Sequence, residues 1–227
     1  MPESLYEMRK RTKETKDTSA SGEGLPYFED GYDSKARFCS YWHQIHEIVS
    51  LKPRKVLEVG IGNGFLLDYL RKRGYNVTTV DIDEELNPDY FASVLSLPFE
   101  DDSFDVVACF EVLEHVAYSS FSQALREIHR VCRVSAVLSI PDSSRIYTFW
   151  LRAPRIGDIR SMIAVPRLKP RQRSRCASHF WEIGIAGYPL SRVLAEFKGA
   201  GFQVVRNYRL FEHPYHRFFV LGNARGR

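Results

Sequence analysis

Long hydrophobic runs are missing from this 227-residue chain. No stretch approaches the roughly 20 apolar residues that a membrane-crossing helix needs. The N-terminus, Met1-Pro-Glu-Ser-Leu-Tyr-Glu-Met8, lacks the basic flank and apolar core of a secretory signal. Cysteine is scarce: Cys39, Cys109, Cys132 and Cys176 lie far apart and form no C-x-x-C pair. Neither a zinc site nor a redox dithiol is signalled, and no bound metal is expected. Cys109 and Cys132 fall in apolar patterns and read as buried thiols, which suits a reducing cytoplasm. Such a chain is expected to be cytoplasmic. Its 44% hydrophobic content is ordinary for a globular α/β protein of this length.

The centre of the chain carries the most information. Val56-Leu-Glu-Val-Gly60-Ile-Gly62-Asn-Gly64-Phe-Leu-Leu is an apolar, β-branched run that ends in alternate glycines and leads into a helical pattern. A second apolar run, Val77-Thr-Thr-Val-Asp81, ends in an acid 21 residues after Gly60. Strand, glycine turn, helix, strand and acid together describe the nucleoside-binding half of a doubly wound sheet. Glycines there permit positive φ and close approach of a ligand. The free N–H groups at the next helix start suit an anion such as a carboxylate. An acid at the second strand tip can accept hydrogen bonds from both hydroxyls of a ribose. A dinucleotide motif needs a third glycine where this chain has Phe65. The spacing is instead E-x-G-x-G-x-G from Glu58.

This pattern resembles motif I of class I S-adenosylmethionine (SAM)-dependent methyltransferases, and the resemblance extends over residues 54–142. Leu97-Pro-Phe-Glu-Asp-Asp-Ser-Phe-Asp-Val-Val-Ala-Cys-Phe-Glu-Val-Leu-Glu-His115-Val is similar to the family's fourth-strand signature. Ala124-Leu-Arg-Glu-Ile-His-Arg-Val131 and Ala136-Val-Leu-Ser-Ile-Pro141 are similar to the helix and strand that follow. The branch is the small-molecule one, which includes quinone-biosynthesis enzymes. The resemblance implies a doubly wound, mostly parallel seven-stranded sheet whose last strand is antiparallel. It implies SAM as cofactor, with Glu58 beside the turn and the backbone of Gly60, Ile61, Gly62, Asn63 and Gly64 around the methionine end. Asp81 would hold the ribose, and Ile82, Ser93 and Val94 would border the adenine. The family often has an acid where this chain has the uncharged Ser93. Phe110 and Glu111 would line the pocket near the sulfonium. The "K-P-G-G" turn common before the fifth strand is replaced by Cys132-Arg-Val-Ser-Ala136, a loop that is structural in the family.

Periodicity predicts helices over 34–51, 64–73, 119–132 and 190–200. Strands are expected near 55–59, 76–80, 89–94, 104–109, 134–140, 202–208 and 215–222. On the first helix, Phe38, Tyr41, Trp42, Ile45, Ile48 and Val49 form the apolar face. Residues 1–25 read as a mobile polar tail, and 26–227 as one methyltransferase domain in which 143–188 form a basic, substrate-side insertion.

Two histidines are candidates for chemistry on the acceptor. His115 sits just past the fourth strand, at the carboxyl edge where open α/β sheets bind ligands, and can take a proton near neutral pH. The alternative is a helix-start histidine bonded to backbone, beside a Glu114 that reads as a solvated or helix-start acid. In Ser178-His179-Phe-Trp-Glu182, the residues His179, Trp181 and Glu182 either touch a substrate or form an aromatic plug. His43 and His46, and His213 and His216, read as structural.

Between 152 and 175 lie eight basic residues (Arg152, Arg155, Arg160, Arg167, Lys169, Arg171, Arg173 and Arg175) against Asp158 alone. That is a net +7 in a chain of net +4. Such a segment attracts phosphate, nucleic acid or an anionic surface, and Ile146-Tyr-Thr-Phe-Trp-Leu151 beside it adds a candidate lipid contact. The expected activity is methyl transfer to an O- or N-acceptor on a small or anionic molecule. An RNA or other polyanion substrate is one rival, and an inactive SAM-fold scaffold is the other. Oligomeric state is not legible.

Overall fold

The computed structural model describes residue 27 and residues 31–155, 157–166, 169, 171–172 and 174–223. The chain divides into two units at Tyr32. In the first, Tyr27 and Tyr32 meet edge to face with ring centroids 5.5 Å apart; the expected tail over residues 1–25 lies outside the described residues. The second unit, Asp33–Arg227, holds the helices and sheets.

Helix α1 (Lys35–Ser50) starts where the Ser34 hydroxyl accepts from the Arg37 N–H at 3.3 Å. Strand β1 (Lys55–Val59), helix α2 (Phe65–Lys72), strand β2 (Asn76–Asp81) and the short β3 (Tyr90–Phe91) follow. Next come β4 (Phe104–Phe110), α3 (Tyr118–Val131) and β5 (Cys132–Pro141). The chain then forms β6 (Ile146–Ala153), β7 (Gly157–Ala164), α4 (Leu190–Gly199), β8 (Phe202–Arg209) and β9 (His216–Asn223).

Seven strands make one sheet in the order β3-β2-β1-β4-β5-β9-β8. The first five are parallel, and β9 runs antiparallel between β5 and β8. The seven-stranded, mostly parallel expectation with an antiparallel last strand holds. Strand side chains alternate between faces. Leu57, Val59, Val107, Cys109 and Leu138 face the larger core with Phe121, Ile128 and Phe197 of α3 and α4. Val56, Val77, Val106 and Val137 meet Ile48, Leu66 and Leu70 of α1 and α2 on the other side. Cys109 and Cys132 are buried, as expected.

Three local expectations differ. On α1, Phe38 and Trp42 are 47% and 58% exposed, while Gln44 and Glu47 are buried. Glu47 is tolerated there because Tyr208 O–H and Arg206 donate to it. Strand β3 stops at Phe91, because Ser93 folds the chain into a turn by accepting from Leu95 N–H at 3.2 Å. The largest difference lies within 143–188, where β6 and β7 pair as an antiparallel hairpin outside the main sheet. Tyr147, Phe149, Leu151, Ile159 and Ile163 on it are all exposed.

Candidate active site

The strand order turns back between β1 and β4: successive strands run outward from β1 to β2 and β3, whereas β4 and β5 lie on the other side. Open α/β sheets bind ligands at the carboxyl ends of such a pair. Gly60 follows β1 there, with φ of 83°, and Gly62 and Gly64 also take positive φ. A Cβ on Gly60 would run into the Val112 side chain from the β4 end. The glycine is thus required by conformation and by the meeting of the two turns.

Asn63 is drawn into structure. Its amide donates to Asp33 at 3.1 Å and to the Tyr41 hydroxyl at 3.0 Å, while its Oδ1 accepts from Phe65 N–H. The side chain ties α1 to the start of α2, and its backbone is what stays for a ligand. Glu58, in β1, is buried with one carboxylate oxygen unpartnered. Burial raises its pKa to about 8; Arg71 opposes the rise and Asp81 adds to it.

Asp81 ends β2. Its two oxygens accept from Ile61 N–H and Asp83 N–H, both at 2.9 Å. Carboxylate oxygens have further lone pairs, so a carboxylate locked by the glycine turn itself can still accept from two hydroxyls. Ile82, next to it, is 70% exposed. An isoleucine so exposed beside a fixed acid is a ready platform for a flat apolar face. Ser93 accepts from Leu95 N–H and can still donate. Val94 is buried in the core, so its backbone, not its side chain, is available to a ligand.

Across the turn, Phe110 ends β4 and packs on Phe218 at 5.7 Å. Glu111 takes φ of 54°, a left-handed conformation that costs a non-glycine residue on the order of 1–3 kcal/mol and concentrates at functional sites. Burial pushes its pKa up to about 7, and its Oε2 lies 3.4 Å from His216 Nε2. A 3-10 turn, Leu113–His115, follows.

That turn brings His115 against His179, 64 residues away, with ring centroids 4.8 Å apart at 87°. His115 Nδ1 is 3.2 Å from the Ser178 carbonyl, and His179 Nδ1 is 3.1 Å from Glu182 Oε1. Burial lowers the His115 pKa, the neighbouring His179 lowers it further, and the Ser178 bond partly offsets both. Glu114 is not solvated. It is fully buried, neither oxygen has a partner, and burial raises its pKa well above the usual carboxylate range.

Trp181 is not a pocket residue. It is wholly buried against Tyr118 and Phe121, with its indole N–H donating to Val116 O at 3.1 Å. Glu182 is buried too. It accepts from Tyr215 O–H at 2.7 Å, Arg175 N–H at 2.6 Å and Ser143 O–H as well as His179. Burial would raise its pKa, but these bonds win and hold it near about 2. His216 is buried at the start of β9, 3.0 Å from Ser40 Oγ. Sequence reasoning took it as structural and did not see that it faces Glu111. Tyr215 was missed as well. An acceptor-rich run beside an antiparallel last strand was the available signal, but nothing local fixed its register against β5.

The comparisons with known proteins agree on one kind of domain. A family described as a methyltransferase domain matches residues 57–140. A probable S-adenosylmethionine-dependent methyltransferase of Mycobacterium tuberculosis is 34% identical over 47% of this chain and 44% of its own. The ubiquinone biosynthesis O-methyltransferase of Coxiella burnetii is 35% identical over 32% and 37%. The chain therefore spans less than half the length of these relatives. Among solved structures, the Burkholderia thailandensis 1,6-didemethyltoxoflavin-N1-methyltransferase, holding its namesake compound and S-adenosylhomocysteine, matches at a TM-score of 0.58. It is 14% identical, with 98% of this chain and 92% of the other covered. Magnesium protoporphyrin IX methyltransferase of Synechocystis with bound SAM gives 0.55 at 15% identity, covering 88% of each chain. At such identities the likeness concerns the fold. Residues 57–140 match a methyltransferase domain, and the order of the seven-stranded sheet is that of the class I S-adenosylmethionine-dependent methyltransferase fold.

Proposed function

We propose that the protein transfers the methyl group of SAM to an oxygen or nitrogen acceptor on a small or anionic molecule. The observation that carries this reading is the pair of carboxyls around the glycine turn. Glu58 is buried with a free oxygen, and Asp81 is fixed by the N–H groups of the turn. One suits a ligand ammonium and the other a ribose, and SAM has both. The relatives named above include an O-methyltransferase of ubiquinone biosynthesis and an N1-methyltransferase, which supports a small-molecule acceptor of either kind.

Methyl transfer is an in-line displacement at carbon in which the sulfonium is both activated donor and leaving group. The protein's share is orientation, worth up to about 7–11 kcal/mol of barrier. An acceptor that must lose a proton needs a group to receive or acidify it. The Ser178 carbonyl and the ionised Glu182 can only accept, so His115 and His179 each carry a proton on Nδ1, and in the neutral ring the lone pair falls on Nε2. Those two nitrogens, on rings that meet just past the end of β4, are the groups assigned to the acceptor.

We read residues 143–188 as the substrate-side insertion. A cavity of about 530 Å³, within the size range of small-molecule pockets, is lined by Trp42 and His43 of α1, Arg160 and Met162 of β7, and Leu210 and Phe211. Helix α1 and the insertion both contribute to it.

Calorimetric titration with SAM and S-adenosylhomocysteine, with NAD as control, tests the reading. Both SAM species are expected to bind and NAD is not. Gly62→Asp, which sets an anion where the cofactor carboxylate belongs, is expected to abolish binding while the far-ultraviolet circular dichroism is retained. Wild-type affinity in that variant would refute the assignment.

A further inference from the structure

The β6–β7 hairpin has two unlike faces. Register puts Thr148 opposite Met162, Trp150 opposite Arg160 and Arg152 opposite Asp158 on one of them. Arg160 and Met162 line the cavity against α1 and Leu210–Phe211, so this face looks inward. The other face carries Tyr147 opposite Ile163, Phe149 opposite Ser161 and Leu151 opposite Ile159. These pairs stand on the far side of the strands from the cavity. Tyr147, Phe149, Leu151, Ile159 and Ile163 are 43–58% exposed, and none of them belongs to either hydrophobic core. A patch of large apolar side chains on one sheet face marks a contact surface. A two-stranded sheet is also marginal until something covers a face.

Charge says what the contact is with. Arg145 precedes β6, and Arg152 and Arg155 lie at the turn into β7; all three are exposed. Eight strand residues span about 25 Å, so basic groups bracket the apolar face at both ends. Asp158 answers Arg152 and Glu212 answers Arg160. Arg145, Arg155 and Lys169 make no ion pair among the described residues, and 152–175 keeps its net +7. The occupant therefore supplies negative charge at the ends and hydrocarbon in the middle. A second copy supplies hydrocarbon but sets another +7 against the first. RNA supplies charge and stacks bases on Tyr147 and Phe149, but it leaves Leu151, Ile159 and Ile163 against a hydrated sugar-phosphate chain. An anionic bilayer supplies both in the order required, with phosphates at the surface and acyl chains beneath.

We propose that the β6–β7 hairpin lies flat on an anionic phospholipid surface. Tyr147, Phe149, Leu151, Ile159 and Ile163 enter the acyl boundary, and Arg145, Arg152 and Arg155 sit among the headgroup phosphates. Tyr147 suits that depth, because its ring is apolar and its hydroxyl stays with the headgroups. The strands satisfy each other's facing N–H and C=O groups, and a shallow, flat position keeps their outer edges within reach of interfacial water. This is attachment in the plane of the interface; among the described residues no helix crosses a membrane. The docking surface does not rest on the methyltransferase reading, since it concerns where the protein sits and not its cofactor or acceptor.

The test sediments the full chain with vesicles of equal parts phosphatidylcholine and phosphatidylglycerol, and with vesicles of phosphatidylcholine alone. Partition onto the mixed vesicles is expected to be at least about tenfold stronger. Phe149→Ser combined with Leu151→Ser is expected to weaken it about tenfold or more, and Arg145→Gln combined with Arg155→Gln to a similar degree. All four side chains are exposed, so circular dichroism and the thermal midpoint should stay those of the wild type. Ile159→Ser combined with Ile163→Ser is the second apolar variant, should the first fail to fold. No sedimentation with the mixed vesicles would overturn the proposal. Undiminished sedimentation of the folded apolar variants would overturn it too, leaving only charge attraction. A dimer dispersed by the apolar variants, without vesicle binding, would give the face to a second copy. Single-stranded RNA bound more tightly than the vesicles, and lost in the same variants, would give it to nucleic acid. SAM titration on the same samples separates the two readings: retained SAM affinity without vesicle binding counts against the docking surface alone.

Discussion

Glu58 is a carboxyl placed where water does not reach it, between the core under α2 and the glycine turn. Its pKa of about 8 has a thermodynamic consequence. The unfolded chain loses this proton in the ordinary carboxylate range, while the folded chain keeps it to about pH 8. Stability contributed by this residue therefore falls as pH rises through that window and is level above it. Glu58→Gln, which cannot ionise, is expected to remove this fall. Thermal denaturation of the apoprotein at pH 5 and pH 9 measures it: the midpoint of the variant should decline less than that of the wild type. A ligand ammonium beside Glu58 would drive it to the ionised form. SAM binding below pH 8 should then release a proton, detectable as a dependence of the calorimetric heat on buffer ionisation enthalpy. Equal heats in phosphate and Tris would rule out that contact.

Among the elements, the β6–β7 hairpin stands apart. It is a two-stranded sheet of its own, a form that is marginal in isolation. Register places Tyr147 opposite Ile163 and Leu151 opposite Ile159 on one face, and Trp150 opposite Arg160 and Arg152 opposite Asp158 on the other. Arg152 and Arg160 lie over the Trp150 ring, 5.5 and 5.2 Å from its centroid. The Arg160–Glu212 ion pair, 3.1 Å long and substantially exposed, is worth at most about 1 kcal/mol. Replacing residues 147–163 with a short Gly-Ser link should therefore leave the seven-stranded sheet and SAM affinity unchanged. It should lower turnover on the true acceptor, because Arg160 and Met162 leave the cavity lining. Loss of SAM binding in that deletion would make the hairpin structural.

For the molecule as a whole, charge is uneven: a net +7 over 152–175 against a net +4 for the chain. Part of that positive charge is already answered within the fold, since Asp158 pairs with Arg152 and Arg160, and Glu212 pairs with Arg160. Arg167 and Arg173 lie outside the described residues. A phosphate backbone held by this segment would release counterions, so affinity for RNA should fall steeply with salt. We expect weak binding to single-stranded RNA at low ionic strength that is gone near 0.2 M salt. Tight, salt-resistant binding lost on neutralising Arg171 and Arg175 would revive a polyanion substrate. Among the described residues, no helix is long and apolar enough to cross a membrane.

Much of this protein is written locally in its sequence. Alternating apolar runs, the glycines at 60, 62 and 64, and Asp81 at a strand tip specify β1-α2-β2. They do so because strand pleat, positive φ and helix capping depend on neighbours only a few residues away. The proposed cofactor side could therefore be named before any contact was known. The acceptor side could not. Glu114 read as a solvated or helix-start acid, and Trp181 as either a substrate contact or an aromatic plug, because burial is set by what packs from distant segments. His115 and His179 stood as alternatives, and only the return of 176–182 across the carboxyl edge joins them with Glu114 around one point. The hairpin was likewise hidden, since β6 and β7 are bounded by few turn signals and pair outside the sheet whose periodicity organises the rest. Sequence alone determined the sheet, its switch point and the glycine turn with Asp81 beside it, where the cofactor is proposed to sit. Tertiary structure decided which charged groups lose their water and meet, because desolvation and convergence depend on the whole fold.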